Sequence, residues 1–194
     1  MVKWMQRFFQ YLDRFYVEIN SLTPLSDQGF KIFKGVVFQP LITNITQAII
    51  SAIDRERREE LVDIDILKKT VDIYLFLSDD KLSQDTLNCR KYLEDKIIEH
   101  TREFYRKQSQ DLLHTASLSE YLQCANQFFM DEAARLDRYL NWDSVRTLLM
   151  KEFKNEMLLK HQQTLLERET GIKYLLQHDK VEDLGLLFSL FSEN

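Results

Sequence analysis

Residues 117–140 read SLSEYLQCANQFFMDEAARLDRYL, and this stretch decides the fold. Ser117-Leu118-Ser119-Glu120 has the S-x-x-E form of a capping box, in which serine and glutamate satisfy each other's backbone amides at a helix start. Leu118, Tyr121, Leu122, Ala125, Phe128, Phe129, Ala133, Leu136 and Tyr139 follow three or four residues apart, the period of one helix face. The segment predicts a capped helix with one buried stripe, leaving through the corner Asn141-Trp142-Asp143.

The same period extends in both directions. Upstream, from Leu87 onward, Tyr92, Leu93, Ile97, His100, Phe104, Tyr105, Leu112 and Leu113 mark a long helix ending near His114-Thr115-Ala116. Before it a polar loop runs to about Asp85. A helix capped by Asp63 or Asp65 precedes that loop, burying Ile66, Leu67, Val71, Tyr74 and Leu75 and ending near Ser78. From Phe30 to Ile53 the residues Phe33, Val37, Leu41, Ile45, Ile49 and Ile53 keep a four-residue spacing, with a kink or break expected near Pro40. Asp54 to Glu60 reads as solvated mixed charge. Thr23-Pro24 supplies a helix start, the threonine capping and the proline giving up an amide that has no partner there. The first helix, about Trp4 to Ile19, carries Trp4, Phe8, Tyr11, Leu12, Phe15 and Ile19 as a stripe to be buried. Downstream, Val145, Leu148, Leu149, Phe153, Met157, Leu158 and Leu165 predict a helix continuing past Gly171 to Leu176, and Asp179-x-x-Glu182 opens the last one.

Composition agrees. The 194 residues include only four glycines and two prolines, far below ordinary usage, which argues against a turn-rich all-β fold. Thirteen Phe and eight Tyr give core material that a disordered chain lacks. Seven or eight helices on short loops make the fold class all-α. Two cysteines, Cys89 and Cys124, lie outside any metal-ligand spacing, which favours a reducing, intracellular home. The N-terminus lacks a signal-peptide run, and no uninterrupted stretch of about 18 apolar residues occurs, so no membrane crossing is expected.

Chemistry-bearing patterns are sparse. His100, His114, His161 and His178 never pair at i+3 or i+4, and Asp111-x-x-His114 lacks the further carboxylates of a helix-based metal site. No flanking sequence activates either cysteine, and Gly29 with Gly35 fits no phosphate cradle. Lys3, Arg7, Arg14, Arg102, Arg106 and Lys107 have acidic neighbours, and the net charge is −5, so a nucleic-acid track is not expected. No catalytic residue, cofactor or metal is predicted, and the residues point to an interaction scaffold. A helical tethering-complex subunit is one alternative, and an enzyme with an unrecognised site is another. One internal similarity stands out: Leu12-Asp13-Arg14-Phe15 recurs 124 residues later as Leu136-Asp137-Arg138-Tyr139, each near the end of an aromatic-rich helix.

Several segments together resemble the amino-terminal half of the cullins, scaffold subunits of cullin-RING ubiquitin ligases. Lys180-Val181-Glu182-Asp183-Leu184-Gly185, followed by Leu186, Phe188, Leu190 and Phe191, is similar to the family's K-x-E-D-L-G stretch. Phe104-Tyr105 with Ser109, Leu112 and Tyr121-Leu122 resembles its F-Y-x-x-x-S pattern, and Glu132, Arg135 and Tyr139-Leu140 its E-x-x-R-x-x-x-Y-L segment. Ile53 to Asp63 is similar to I-x-x-E-R-x-G-E-x-[IV]-[DN], with Glu59 where glycine is usual, which puts the turn there in doubt. The opening Trp4–Tyr16 looks closest to plant-type first-class members.

The resemblance implies stacked cullin-repeat helical bundles in an elongated, rod-like stalk. Residues 1–21 would be the last helix of repeat 1, 22–140 all of repeat 2, and 141–194 the first two helices of repeat 3. It implies a non-catalytic scaffold of a ubiquitin ligase complex in the cytoplasm and nucleus. The scaffold would space a BTB-fold or SCF-type adaptor and substrate receptor from a RING protein held by a carboxy-terminal half absent here. Tyr11, Asp13, Arg14 and Tyr16, on the helix corresponding to the adaptor-gripping fifth helix, are the expected adaptor-facing residues, although the aromatics could equally pack the repeat.

Overall fold

A computed structural model describes residues 2–78, 89–140, 143–168 and 171–192, and their side chains except those of 2–6, 12, 15, 18, 143, 144 and 192. The expected loop to Asp85, the residue Leu87, the corner at Asn141-Trp142 and the side chains of Lys3, Trp4, Leu12 and Phe15 lie outside the described residues. Every regular element among the described residues is helical. In order they are α1 (Val2–Ile19), α2 (Leu25–Phe33), a π-helical turn (Lys34–Phe38), α3 (Gln39–Arg57), α4 (Ile64–Ser78), α5 (Cys89–Thr115), α6 (Leu118–Tyr139), α7 (Asp143–Met157), a 3-10 turn (Leu159–His161), α8 (Gln162–Glu167), α9 (Ile172–Gln177) and α10 (Val181–Ser192). The chain forms two compact units, Met1–Leu93 and Glu94–Asn194.

In the first unit α2, the π turn and α3 form one continuous helical run. The kink or break expected near Pro40 takes the form of the π turn just before it, where the Gln39 amide bonds the Lys34 carbonyl, one residue further back than in an α-helix. A proline clashes with the carbonyl four residues earlier, and the wider turn relieves that clash without ending the helix. The run Leu25–Arg57 is 33 residues long and, by length and composition alone, apolar enough to cross a membrane, contrary to the expectation from uninterrupted apolar runs. Threonine, glutamine and glycine interrupt its apolar residues without making it polar.

The four-residue stripe is half correct. Ile49 and Ile53 are buried, with Thr46, Ile50 and Arg57, but Phe33, Val37 and Leu41 are exposed. In the upper half the buried positions are one residue later, at Lys34 and Phe38. Phe38 meets Tyr74 of α4 edge-on, with ring centroids 5.1 Å apart. The expectation that α1 buries its stripe also fails at Phe8, Tyr11 and Ile19, all exposed. On α4, Asp63 caps as expected, accepting the Ile66 amide at 3.0 Å, and Leu67, Val71 and Tyr74 are buried while Ile66 is exposed.

Three helices end in the same way. The amides of Leu22, Glu60 and Lys180 reach back to the carbonyls of Val17, Arg55 and Leu175. The residue before each donor, Ser21, Glu59 and Asp179, sits at φ 50, 61 and 49. These are Schellman endings, whose left-handed position suits glycine, and none of this chain's glycines is there. The turn doubted at Glu59 is formed with the side chain held in that conformation. Asp179 therefore closes α9 rather than opening α10, which starts at Val181.

The second unit is built around Tyr105, Tyr121, Leu122, Phe153, Met157 and Leu158, each 0–1% exposed. Tyr105 packs edge-on against Phe153 at 4.6 Å, and Phe129 lies 5.9 Å from Phe153. Each large ring or aliphatic withdrawn from water contributes roughly 1.5–3 kcal/mol. The capping box forms as read: the Ser117 amide bonds Glu120 Oε2 at 2.8 Å and the Glu120 amide bonds Ser117 Oγ at 3.4 Å. The expected continuous helix through Gly171 is instead broken into α7, the 3-10 turn, α8 and α9. A Cβ on Gly171 would sit 2.4 Å from the Leu166 carbonyl oxygen and 2.7 Å from that of Arg168, so only glycine allows the chain to fold back this tightly.

Candidate functional site

The expected adaptor-facing residues lie on α1, where 100° per residue places Tyr11 beside Arg14 and Asp13 beside Tyr16 rather than all four on one face. Tyr11 and Tyr16 are 75% and 66% exposed, and Arg14 is exposed. Asp13 is half-buried and engaged: its Oδ2 accepts the Leu25 amide at 2.7 Å, capping α2 from twelve residues upstream. The threonine expected to cap there does not; the cap position is Pro24.

Beside Asp13 a cleft of about 640 Å³ opens between α1, α2 and α4, lined by Phe9, Leu25, Phe30, Phe33, Ile73 and Phe76 among others. Sequence periodicity does not single it out, because the cleft takes residues from three helices that periodicity treats one at a time. Phe30 and Phe76 meet edge-on at 5.3 Å on its wall. The one sign in the sequence is Phe33, the first residue of the four-residue row, which lines the cleft.

Tyr74 is the polar anchor of the first unit. Its hydroxyl accepts from Thr46 Oγ1 at 3.3 Å and donates to the Cys89 carbonyl at 3.1 Å, joining α3, α4 and the first turn of α5. Burial pushes its pKa up to about 12, so it stays a donor. Arg57, expected in solvent, has its side chain buried against Asp54 at 3.2 Å.

In the second unit the polar residues of the sequence motifs act between helices. The Tyr105 hydroxyl donates to Glu132 Oε2 at 2.6 Å, and Arg135 Nη1 donates to the same oxygen at 3.0 Å, all buried. Ser119 Oγ donates to Asp183 at 2.6 Å, tying α6 to α10 through the aspartate of the K-x-E-D-L-G stretch. The Tyr121 hydroxyl donates to the Met157 carbonyl at the end of α7, and burial raises its pKa well above the usual phenol range. Arg168 donates to the carbonyls of Leu113 and, at 3.0 Å, Ala116, a cation where the last turn of α5 needs one. Asp137 pairs with Arg146 of α7. Both copies of the Leu-Asp-Arg-aromatic segment therefore use their aspartate to hold the helix that follows.

Ser109 and His161 are the pair that most resembles catalytic machinery, with Oγ and Nε2 3.2 Å apart. Ser109 Oγ also lies 3.0 Å from the Arg106 carbonyl of its own helix, and which of Ser109 and His161 donates to the other depends on the imidazole tautomer. Among the described residues no group of three or more metal-ligating side chains could hold an ion. Arg102 pairs with Glu152 at 2.9 Å, and Arg106 and Lys107 lie near Glu103, so the basic residues of α5 are compensated.

Residues 1–194 match the cullin alpha solenoid domain. The chain belongs to the cullin family. It is 34% identical over 196 residues to Cullin-1 of Oryza sativa subsp. japonica, covering 99% of this chain and 25% of that protein. It is 29% identical over 192 residues to Cullin-2 of Arabidopsis thaliana, covering 98% of this chain and 25% of the relative. Cullin-3A of Arabidopsis thaliana is 24% identical over 184 residues, covering 93% and 24%. The chain thus spans about a quarter of the length of these relatives. The fold class read from the sequence, an all-α cullin-repeat chain, holds.

Proposed function

We propose that this chain is a non-enzymatic scaffold region of a cullin-RING ubiquitin ligase, a stiff helical spacer between a substrate-receptor end and a RING-bound end. The observation that carries this reading is the use made of the motif side chains. Tyr105, Glu132, Arg135 and Asp183 direct their polar groups to neighbouring helices or to each other. A spacer serves transfer by geometry, since two partners held on one frame meet at an effective concentration set by the frame. Its useful property is resistance to bending, which close-packed aromatic layers supply.

In this reading, residues 1–21, 22–140 and 141–194 are the end of one repeat, a whole second repeat and the start of a third. Tyr11, Asp13, Arg14 and Tyr16 face a BTB-fold or SCF-type adaptor, and the RING protein binds a carboxy-terminal half of the parent. Asp13 would serve there while also capping α2. Neither a nucleic acid nor a membrane has a part, and the apolar run Leu25–Arg57 is a packing helix, with Ile49, Ile50 and Ile53 turned inward. The parent works in the reducing cytoplasm and nucleus, where Cys89 and Cys124 stay free thiols.

Small-angle scattering tests the spacer. A compact globule of this length has a radius of gyration of about 16 Å. A stacked-repeat monomer is expected to exceed that clearly, and a value at or below it would overturn the reading.

A further inference from the structure

The Thr23-Pro24 pair reads as a helix cap, but Asp13 takes that duty and leaves the threonine without it. α2 starts at Leu25, its cap position is Pro24 at φ −50 and ψ 143, and no side chain of its own caps it. Thr23 is exposed, and no hydrogen bond engages its hydroxyl among the described residues. A left-handed turn at Ser21 precedes the segment, and the Thr23–Pro24 peptide is trans. A residue before proline is held extended by the ring. An exposed hydroxyl on extended chain with a trans proline next is the substrate geometry of proline-directed Ser/Thr kinases.

We infer that Thr23 is a phosphoacceptor for a proline-directed kinase, and that its phosphorylation opens the Asp13–Leu25 clasp between α1 and α2. In the transfer, Thr23 Oγ attacks the γ-phosphorus of ATP and the bond to the β,γ-bridging oxygen breaks. ADP leaves with that electron pair, and the hydroxyl proton goes to the kinase's base. The product carries a charge of about −2 at neutral pH. It stands two residues before Leu25, within reach of the first amides of α2, where the partial positive charge of a helix start favours it. Asp13, with one negative charge, competes for the same amide and is repelled by the newcomer. The phosphate then caps α2 from within its own segment, and α1 loses the contact that Asp13 supplies.

The test uses the whole 194-residue chain with ATP and a purified proline-directed Ser/Thr kinase. Modification is mapped by mass spectrometry, and amide hydrogen exchange is followed over residues 2–33. Phosphate is expected on Thr23 and is lost in Thr23→Val. The phosphorylated chain should exchange α1 amides about fivefold faster, the size expected from losing one side-chain hydrogen bond. Asp13→Asn weakens the clasp beforehand, so phosphorylation should add little to its α1 exchange. Absence of phosphate on Thr23, while the same kinase modifies a free Thr-Pro peptide, would overturn the acceptor. Phosphate on Thr23 with α1 exchange unchanged would overturn the switch.

Discussion

The first unit anchors its buried Tyr74 with neutral partners, and the second anchors Tyr105, though not Tyr121, with charged ones. Tyr74 sits between a threonine hydroxyl and a backbone carbonyl, whereas Tyr105 sits on a carboxylate that also holds a guanidinium. Apolar surface divides the same way. Among the described residues, sixteen large apolar side chains are exposed in the first unit and seven in the second. The second unit therefore encloses its core and fixes it with bonds that fail badly when one partner is lost. The first leaves rows such as Phe33, Val37 and Leu41 on its surface, so more of its apolar area is available to other protein.

The sharpest way to break this contrast is to remove one partner from each anchor. Glu132→Ala leaves Arg135 buried without its carboxylate and Tyr105 without its acceptor, and should cost about 3–5 kcal/mol. Tyr74→Phe removes a neutral link and should cost about 1–2 kcal/mol. Hydrogen exchange resolved by unit, with denaturant unfolding of each variant, measures both. Equal costs would mean that the charged knot contributes no more than a hydroxyl pair.

Glycines give the next contrast. Gly171→Ala drives a Cβ into two backbone carbonyl oxygens, neither of which can move aside as a side chain would, so a loss of about 2–3 kcal/mol is expected. Gly29 lies within α2, and a methyl group there would meet nothing within 4 Å, so Gly29→Ala should gain about 0.5–1 kcal/mol from helix propensity. Thermal melts of the two variants should move in opposite directions. A stabilised Gly171→Ala would show that the fold-back before α9 does not need the close approach.

Left-handed positions separate the units more finely. Glu59 holds φ 61 in the first unit and Asp179 holds φ 49 in the second. Aspartate tolerates this region better than glutamate. Glu59→Gly should therefore stabilise by about 1 kcal/mol, and Asp179→Gly by less, because glycine relieves strain while adding freedom to the unfolded chain. The pair of unfolding midpoints checks the order, and a destabilised Glu59→Gly would refute the strain.

These residues also mark how much of the fold is legible in the sequence. Local features such as the Ser117–Glu120 box, the Asp63 cap and the period of α6 can be read directly, because the partners lie within a turn or along one face. Asp13 capping a helix twelve residues on cannot, since nothing near Thr23 indicates that an aspartate from another helix will replace it. The buried face of α3 is ambiguous in its upper half because Phe33 and Lys34 are adjacent and hydrophobicity favours the wrong one. For the candidate site, the positions on α1 can be named from the resemblance, but the cleft beside them is made only when α1, α2 and α4 meet. The break at Gly171 depends on an approach between backbones that a one-dimensional period does not record.

The smallest expected effect is a pH dependence in the second unit. Burial is the main cause that lowers the His161 pKa; Glu156 pulls it up and Lys160 pushes it down. The unfolded chain, with an ordinary histidine near pH 6.5, takes up a proton first as the pH falls. The contribution is therefore fully present above about pH 6.5 and declines as the pH drops toward the lower folded pKa. Replacing the ring by His161→Gln removes the titration and keeps an amide able to hydrogen-bond Ser109. The stability difference between parent and variant should thus shrink from about pH 7.5 to about pH 5.5. If it grew instead, the Glu156 charge would outweigh burial at this ring, and the second unit would draw its acid response from an ion pair.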